Sequence, residues 1–146
     1  YQPPTITKPN NILQCDNDND GISTFDFSTT TAEVLNGQDA TLFEVVYFTS
    51  QLDADNNSNA IVEPYTNLVA ITKETLYARI HNIHNPICYE TESFELHLFE
   101  SPNPPATITN LSKCDSNSPG TDTDGFEIFD LTAKETEILK VDRWLW

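Results

Sequence analysis

One stretch constrains this chain more than any other: Cys15-Asp16-Asn17-Asp18-Asn19-Asp20-Gly21, running without a gap into Ile22-Ser23-Thr24-Phe25-Asp26-Phe27. It joins a cysteine, alternating carboxylates, a glycine and a short apolar segment, and it occurs twice. The second copy is Cys114-Asp115, an insertion, then Asp122-Thr123-Asp124-Gly125-Phe126-Glu127-Ile128-Phe129-Asp130-Leu131. Gly21, Phe25, Asp26 and Phe27 thereby match Gly125, Phe129, Asp130 and Leu131, while the insertion moves Asp115 out of register. Upstream, Pro3-Pro4-Thr5-Ile6-Thr7 is answered by Pro104-Pro105-Ala106-Thr107-Ile108-Thr109.

Cys15 and Cys114 stand 99 positions apart. That period is too long for a helical solenoid and fits tandem domains of immunoglobulin-like size. The chain therefore reads as a linker (1–11), a complete unit (12–102), a second linker (103–110) and the truncated start of the next unit (111–146). The tail Val141 to Trp146 has no counterpart in the first copy and reads as either an appended remnant or a truncated end. With no Met among its 146 residues, the chain is expected to be a piece of a longer protein.

Twenty-three acids against seven bases give a net charge of −16. No basic patch can be assembled to displace phosphate counterions, which argues against nucleic-acid binding. Attraction to an anionic membrane surface is disfavoured for the same reason, and no apolar run is long enough for membrane insertion. Excess carboxylate suits a soluble, surface-exposed protein that hosts hard cations.

The repeat also organises the cysteines. Cys15 and Cys88 fall in the complete unit, whereas Cys114 opens the second, whose own mate would lie past residue 146. This register predicts a Cys15–Cys88 disulfide and an unpaired Cys114. Closing that loop would stabilise by roughly 4 kcal/mol and implies an oxidising, extracytoplasmic location. The alternative is three unrelated buried thiols.

Alternation then places the elements. Ile12 and Leu13 are expected to be the first buried residues. Phe25 and Phe27 share one face of a short strand, and Ser28 and Thr132 are expected N-caps of short helices, the first ending at Asn36-Gly37. Leu42 to Thr49 is the strongest strand, with too little polar interruption for an exposed face, and is expected mid-sheet. Ser50 to Ala60 reads as a polar loop rich in Asx turns. Leu76, Ala78 and Ile80 alternate against Tyr77, Arg79 and His81, and Phe94, Leu96 and Leu98 against Glu95, His97 and Phe99, as strands with one core face. The fold class predicted is all-β: an antiparallel immunoglobulin-like β-sandwich with one short helix, followed by a partial second repeat.

The order of Cys-Asp-x-x-Asp-Gly-x-x-x-Phe-Asp, Val46-Tyr47-Phe48, Leu76-Tyr77-Ala78-Arg79-Ile80, Cys88-Tyr89 and Phe94-Glu95-Leu96 resembles the tandem repeats of large Bacteroidetes surface proteins exported by type IX secretion, a group that includes gliding-motility adhesins. The resemblance covers Asn11 to about Pro102, and the opening of a second copy to about Leu139. It implies an extracellular, cell-surface stalk or adhesive repeat. Its partners would be neighbouring repeats, the type IX secretion machinery and a surface polysaccharide or protein ligand. It offers no catalytic residues to carry over.

Asp16, Asp18 and Asp20 before Gly21 copy the first half of a calcium loop, in which alternate carboxylates converge on one side of a tight turn. Position 12 is Phe27 and not a bidentate Glu, so closure would need Asp26 or the carbonyl of Ile22. The competing reading is a solvated Asx turn. Asp122 and Asp124 form a weaker candidate in the second copy. The loop adjoins the linker before Cys15, so bound Ca²⁺ is expected to stiffen that joint. His81, His84 and His97 fall on polar faces or in a turn and read as solvated residues, not zinc ligands. Glu90 and Glu92 carry no sign of the separated environments that acid–base work needs. With no nucleophile elbow, phosphate loop or catalytic triad, the chain is not expected to be an enzyme. Two functional readings follow: a structural and adhesive repeat, or a carbohydrate-binding module stacking sugars on Tyr47, Tyr65, Tyr77 and Tyr89.

Overall fold

The computed structural model describes residues 2–139, and the tail 141–146 lies outside them. The chain divides after Ser101 into two compact units. In the first, β1 (Ile12–Asp16), β2 (Thr24–Phe25), α1 (Ser28–Leu35), β3 (Phe43–Phe48), α2 (Gln51–Asn56), β4 (Tyr65–Thr66), β5 (Lys73–Asn82) and β6 (Asn85–Glu100) follow in order. A four-stranded sheet has the order β1-β6-β5-β3, and β2 and β4 form a separate two-stranded ribbon. The protein is thus mostly strands in a sandwich-like all-β arrangement, as the alternation requires. The large sheet is mixed and not purely antiparallel, because β1 pairs parallel to β6, with Cys15 opposite Phe99.

The expected alternation on β5 and β6 holds: Leu76, Ala78, Ile80, Phe94, Leu96 and Leu98 are buried in one cluster with Phe25, Phe27, Val34, Phe43 and Tyr47. Aromatic packing centres it, with Phe27 4.6 Å from Tyr47 and edge-on to Phe94 at 5.9 Å between ring centroids. α1 closes this face, the Thr31 hydroxyl sharing a hydrogen bond of 2.7 Å with Tyr47 Oη. The helix ends as expected at Asn36-Gly37, both left-handed.

Four expectations are corrected. Leu13 is 66% exposed, since β1 turns Ile12 and Gln14 inward and Leu13 outward. β3 lies at the sheet edge and not in its middle. It is apolar on both sides because the two helices pack on it, and the amide of Ile61 covers its free edge at the Tyr47 carbonyl, 2.8 Å away. Within Ser50 to Ala60 lies a real helix, α2, which the Ser50 hydroxyl caps at the Asp53 amide. The expected caps Ser28 and Thr132 are instead donors: their amides bond Asp26 Oδ1 and Asp130 Oδ1, at 2.7 and 2.9 Å.

Residues 2–11, read as a linker, lie along the first unit. Pro4 and Pro9 are buried. Thr5 exchanges two hydrogen bonds with Gln38, and Asn10 donates twice to Glu33, at 2.8 Å each. The second unit carries a 3₁₀ turn (Leu131–Lys134) and α3 (Glu135–Leu139) as its regular elements among the described residues, with Phe126, Phe129 and Leu131 exposed.

Candidate functional site

The acidic turn begins where β1 delivers Asp16 to the inner face. The carboxylate is buried, and it accepts main-chain N–H groups from Gly21 (2.6 Å), Asn19 (3.0 Å) and Asp18 (3.4 Å). Asp20 Oδ1 in turn accepts the amide of Ile22 at 2.7 Å. Two left-handed residues, Asn19 and Gly21, let the chain fold back on this carboxylate. At Gly21 the space also demands glycine, since a Cβ would stand 2.7 Å from Cβ of Ala70.

Buried Asn67, from the strand end opposite β2, holds the turn from the far side. It accepts the Ser23 amide at 2.8 Å and donates to the carbonyls of Gly21 and Val69, at 2.7 and 2.8 Å. Asn19 binds Ser101 through both its amide atoms, at 2.7 and 3.2 Å. The turn is therefore fastened to the outgoing end of β6.

Electrostatics divide the three acids. The Gly21 amide, ahead of the other donors, holds the Asp16 carboxyl below the usual carboxylate range. Asp18 is pushed up, first by its hydrogen bond with Asp16 and then by the charge of Asp20. Each acid offers an oxygen within 4.8 Å of the others. That spacing and the unrelieved repulsion at Asp18 suit a hard cation. Asp16, however, already receives three amides, which leaves Asp18 and Asp20 as the freer donors. Asp26 is not brought to the cluster, because it opens α1, and Ile22 meets it through its amide to Asp20. Asp122 and Asp124 form no comparable group among the described residues. Asp124 accepts amides of Thr121 and Phe126 instead, at 2.7 and 2.9 Å.

The repeated carboxylates do the same local work in both copies. Asp115 Oδ2 accepts the Gly125 amide at 2.8 Å, as Asp16 does that of Gly21. The insertion thus leaves Asp115 in its role, contrary to the sequence register. Asp20 and Asp124 each take an amide two residues on, and so do Asp26 and Asp130.

The thiols do not meet. Cys15, Cys88 and Cys114 are all free, and the expected Cys15–Cys88 bond is incompatible with the sheet. Cys15 lies opposite Phe99, eleven positions along β6 from Cys88. At about 3.3 Å per strand residue that is on the order of 35 Å, against roughly 4.4–6.8 Å between Cα atoms in a disulfide.

Other candidates resolve into structure. His81 is buried beside Glu44 at 3.2 Å, and burial pushes its pKa down, so it is not the solvated residue expected. His97 bonds Glu95 at 2.9 Å. Tyr47 is fully enclosed, Tyr65 packs on Phe25 and Phe27, and the guanidinium of Arg79 covers one face of the Tyr89 ring at 3.6 Å, while Tyr65, Tyr77 and Tyr89 stay half-buried. Sequence reasoning overlooked Arg79 as a clamp. Buried on the face opposite the core, it donates to the carbonyls of Ala54 (2.7 Å), Asp55 (3.0 Å) and Pro86 (2.6 Å), tying α2 to the β5–β6 hairpin. An arginine amid strand residues of high burial is the signal that pointed there.

Among protein families, the Flavobacterium inter-domain disulphide bond domain matches residues 11–104. No curated protein and no solved structure matches the chain. No described helix is long and apolar enough to cross a membrane.

Proposed function

The chain belongs to the Flavobacterium inter-domain disulphide bond domain family, and from that membership we propose that it is an extracellular structural repeat, set in a tandem array and joined covalently to its neighbours. The separation of Cys15 and Cys88 carries this reading. Thiols at opposite ends of one sheet cannot staple their own domain, but they are placed to cross-link it to the domains on either side. Such bonds persist only in an oxidising, extracytoplasmic setting. The doubled Cys-Asp-Gly-Phe-Asp motif supports the array.

Motif resemblance extends the proposal to a type IX-exported adhesin of the cell surface, of the kind that serves attachment and gliding. A Ca²⁺ ion held by Asp18 and Asp20 with Asp16 would rigidify the outgoing end of each unit through the Asn19–Ser101 bonds. No catalytic role is part of the proposal.

Thiol counting on the full-length secreted protein tests the covalent part. Cys15 and Cys88 should resist alkylation until a reductant is added. Both thiols free in the secreted protein would overturn the reading. For the adhesive part, cells with an in-frame deletion of the array should lose surface attachment, and unchanged attachment would remove adhesion from the proposal.

A further inference from the structure

We propose that the cross-link is directional: Cys15 of one unit bonds the counterpart of Cys88 in the unit that follows, so that the acidic-turn end of each domain seats on the β5–β6 hairpin end of the next. The inference rests on the reading above and adds to it which thiol meets which.

Chain direction is the first argument. The incoming segment starts beside the hairpin, where Asn82 Nδ2 donates to the Gln2 carbonyl at 3.1 Å. The outgoing segment leaves at Ser101, fastened to Asn19 in the acidic turn. Cys88 therefore lies toward the end by which the chain arrives, and Cys15 lies at the end by which it departs. In a tandem array the chain that departs from one unit at its Cys15 end is the chain that arrives at the Cys88 end of the next. Cys114, by the repeat, is the next unit's equivalent of Cys15 and belongs to that unit's own departing end.

Surface chemistry is the second. Cys15 is exposed, and its neighbours on the outer face are Leu13 and Phe99, 66% and 51% exposed. Near Cys88, Ile87 and Ile83 are 85% and 42% exposed. Apolar surface at both ends is removed from water when the two meet. Charge then selects the pairing. Asp16, Asp18, Asp20 and Glu100 crowd the Cys15 end, whereas Asn82 to Tyr89 contains no carboxylate and Glu90 is the one carboxylate within two residues of Cys88. Joining two Cys15 ends would set like charges against each other, and joining a Cys15 end to a hairpin end does not.

Bond formation is a thiol–disulfide exchange. The thiolate of one cysteine attacks a small-molecule or oxidoreductase disulfide, giving a mixed disulfide and one thiol. The second cysteine displaces the remaining sulfur as another thiol, so two protein thiols are oxidised as one disulfide is reduced.

The 146-residue chain can report this between molecules. In a Cys114→Ser background, Cys88→Ser leaves Cys15 alone and Cys15→Ser leaves Cys88 alone. With oxidised glutathione as the disulfide donor, the mixture should form a Cys15–Cys88 heterodimer about tenfold faster than the Cys15 variant forms a homodimer. Peptide mapping identifies the bond. Cys15–Cys15 homodimers forming equally fast would overturn the directionality and leave inter-domain bonding standing. Closure of Cys15 on Cys88 within one unmutated molecule, or no disulfide at all, would overturn both.

Discussion

Asp16 Oδ2 accepts the backbone N–H of Gly21 at 2.6 Å, and this one bond closes the turn that defines the repeated motif. It also lowers the Asp16 pKa, as the Ser28 side chain lowers that of Asp26, the Thr41 amide that of Asp39 and the Ser50 side chain that of Asp53. A carboxylate depressed in the folded state contributes stability that is complete above its unfolded value, about 3.9 for Asp, and is lost as pH falls through the folded value. Urea midpoints should therefore hold steady from about pH 7 to 5 and drop below about pH 4. Asp16→Ala should lower the midpoint at neutral pH and weaken its fall in acid. An acid profile identical to wild type would remove Asp16 from this account.

Asp18 carries the opposite sign. Its pKa is raised, so its ionised form penalises the fold at neutral pH, and the penalty is relieved only as pH falls through the raised value. In excess chelator at pH 7, Asp18→Asn should raise the melting temperature. If a cation offsets the repulsion, wild type should gain about 2.7 kcal/mol with free Ca²⁺ near 100 times its dissociation constant, and the variant should gain much less. Equal melting of wild type in calcium and in chelator, at moderate ionic strength, would make the loop a plain Asx turn.

Arg79 spans α2 and the hairpin that bears Cys88. Lys keeps the charge but cannot reach the carbonyls of Ala54, Asp55 and Pro86 together. Arg79→Lys should cost about 2–4 kcal/mol in chemical denaturation, since buried carbonyls lose charge-assisted donors. Hydrogen exchange should rise in residues 85–89 before it rises in Phe94 to Leu98. Uniform acceleration across β6 would mean that the clamp acts on the whole sheet.

Phe27 and Leu131 occupy equivalent motif positions, yet Phe27 is fully buried and Leu131 is 68% exposed. Phe27→Ala should cost about 3–5 kcal/mol, and Leu131→Ala no more than about 0.5 kcal/mol. Both are read from urea unfolding followed by the near-ultraviolet signal of the aromatic core. A comparable cost at Leu131 would show that the second unit buries this side chain in solution.

The sequence alone determined what is settled within a few residues. Period-two alternation fixed the core faces of β5 and β6, and Asn36-Gly37 fixed the end of α1, because side-chain direction and left-handed backbone are local properties. The motif told which residues make the turn, though its carboxylates proved to serve main-chain amides two to ten residues away. The helix within Ser50 to Ala60 escaped notice because so short a helix depends on its Ser50 cap and on packing over Arg79 more than on propensity. The parallel pairing of β1 with β6 and the edge position of β3 depended on interactions between distant segments, which no local pattern encodes. The fate of the cysteines followed from that pairing: spacing along the chain allowed a Cys15–Cys88 bond, and only the tertiary structure set the two thiols at opposite ends of a sixteen-residue strand.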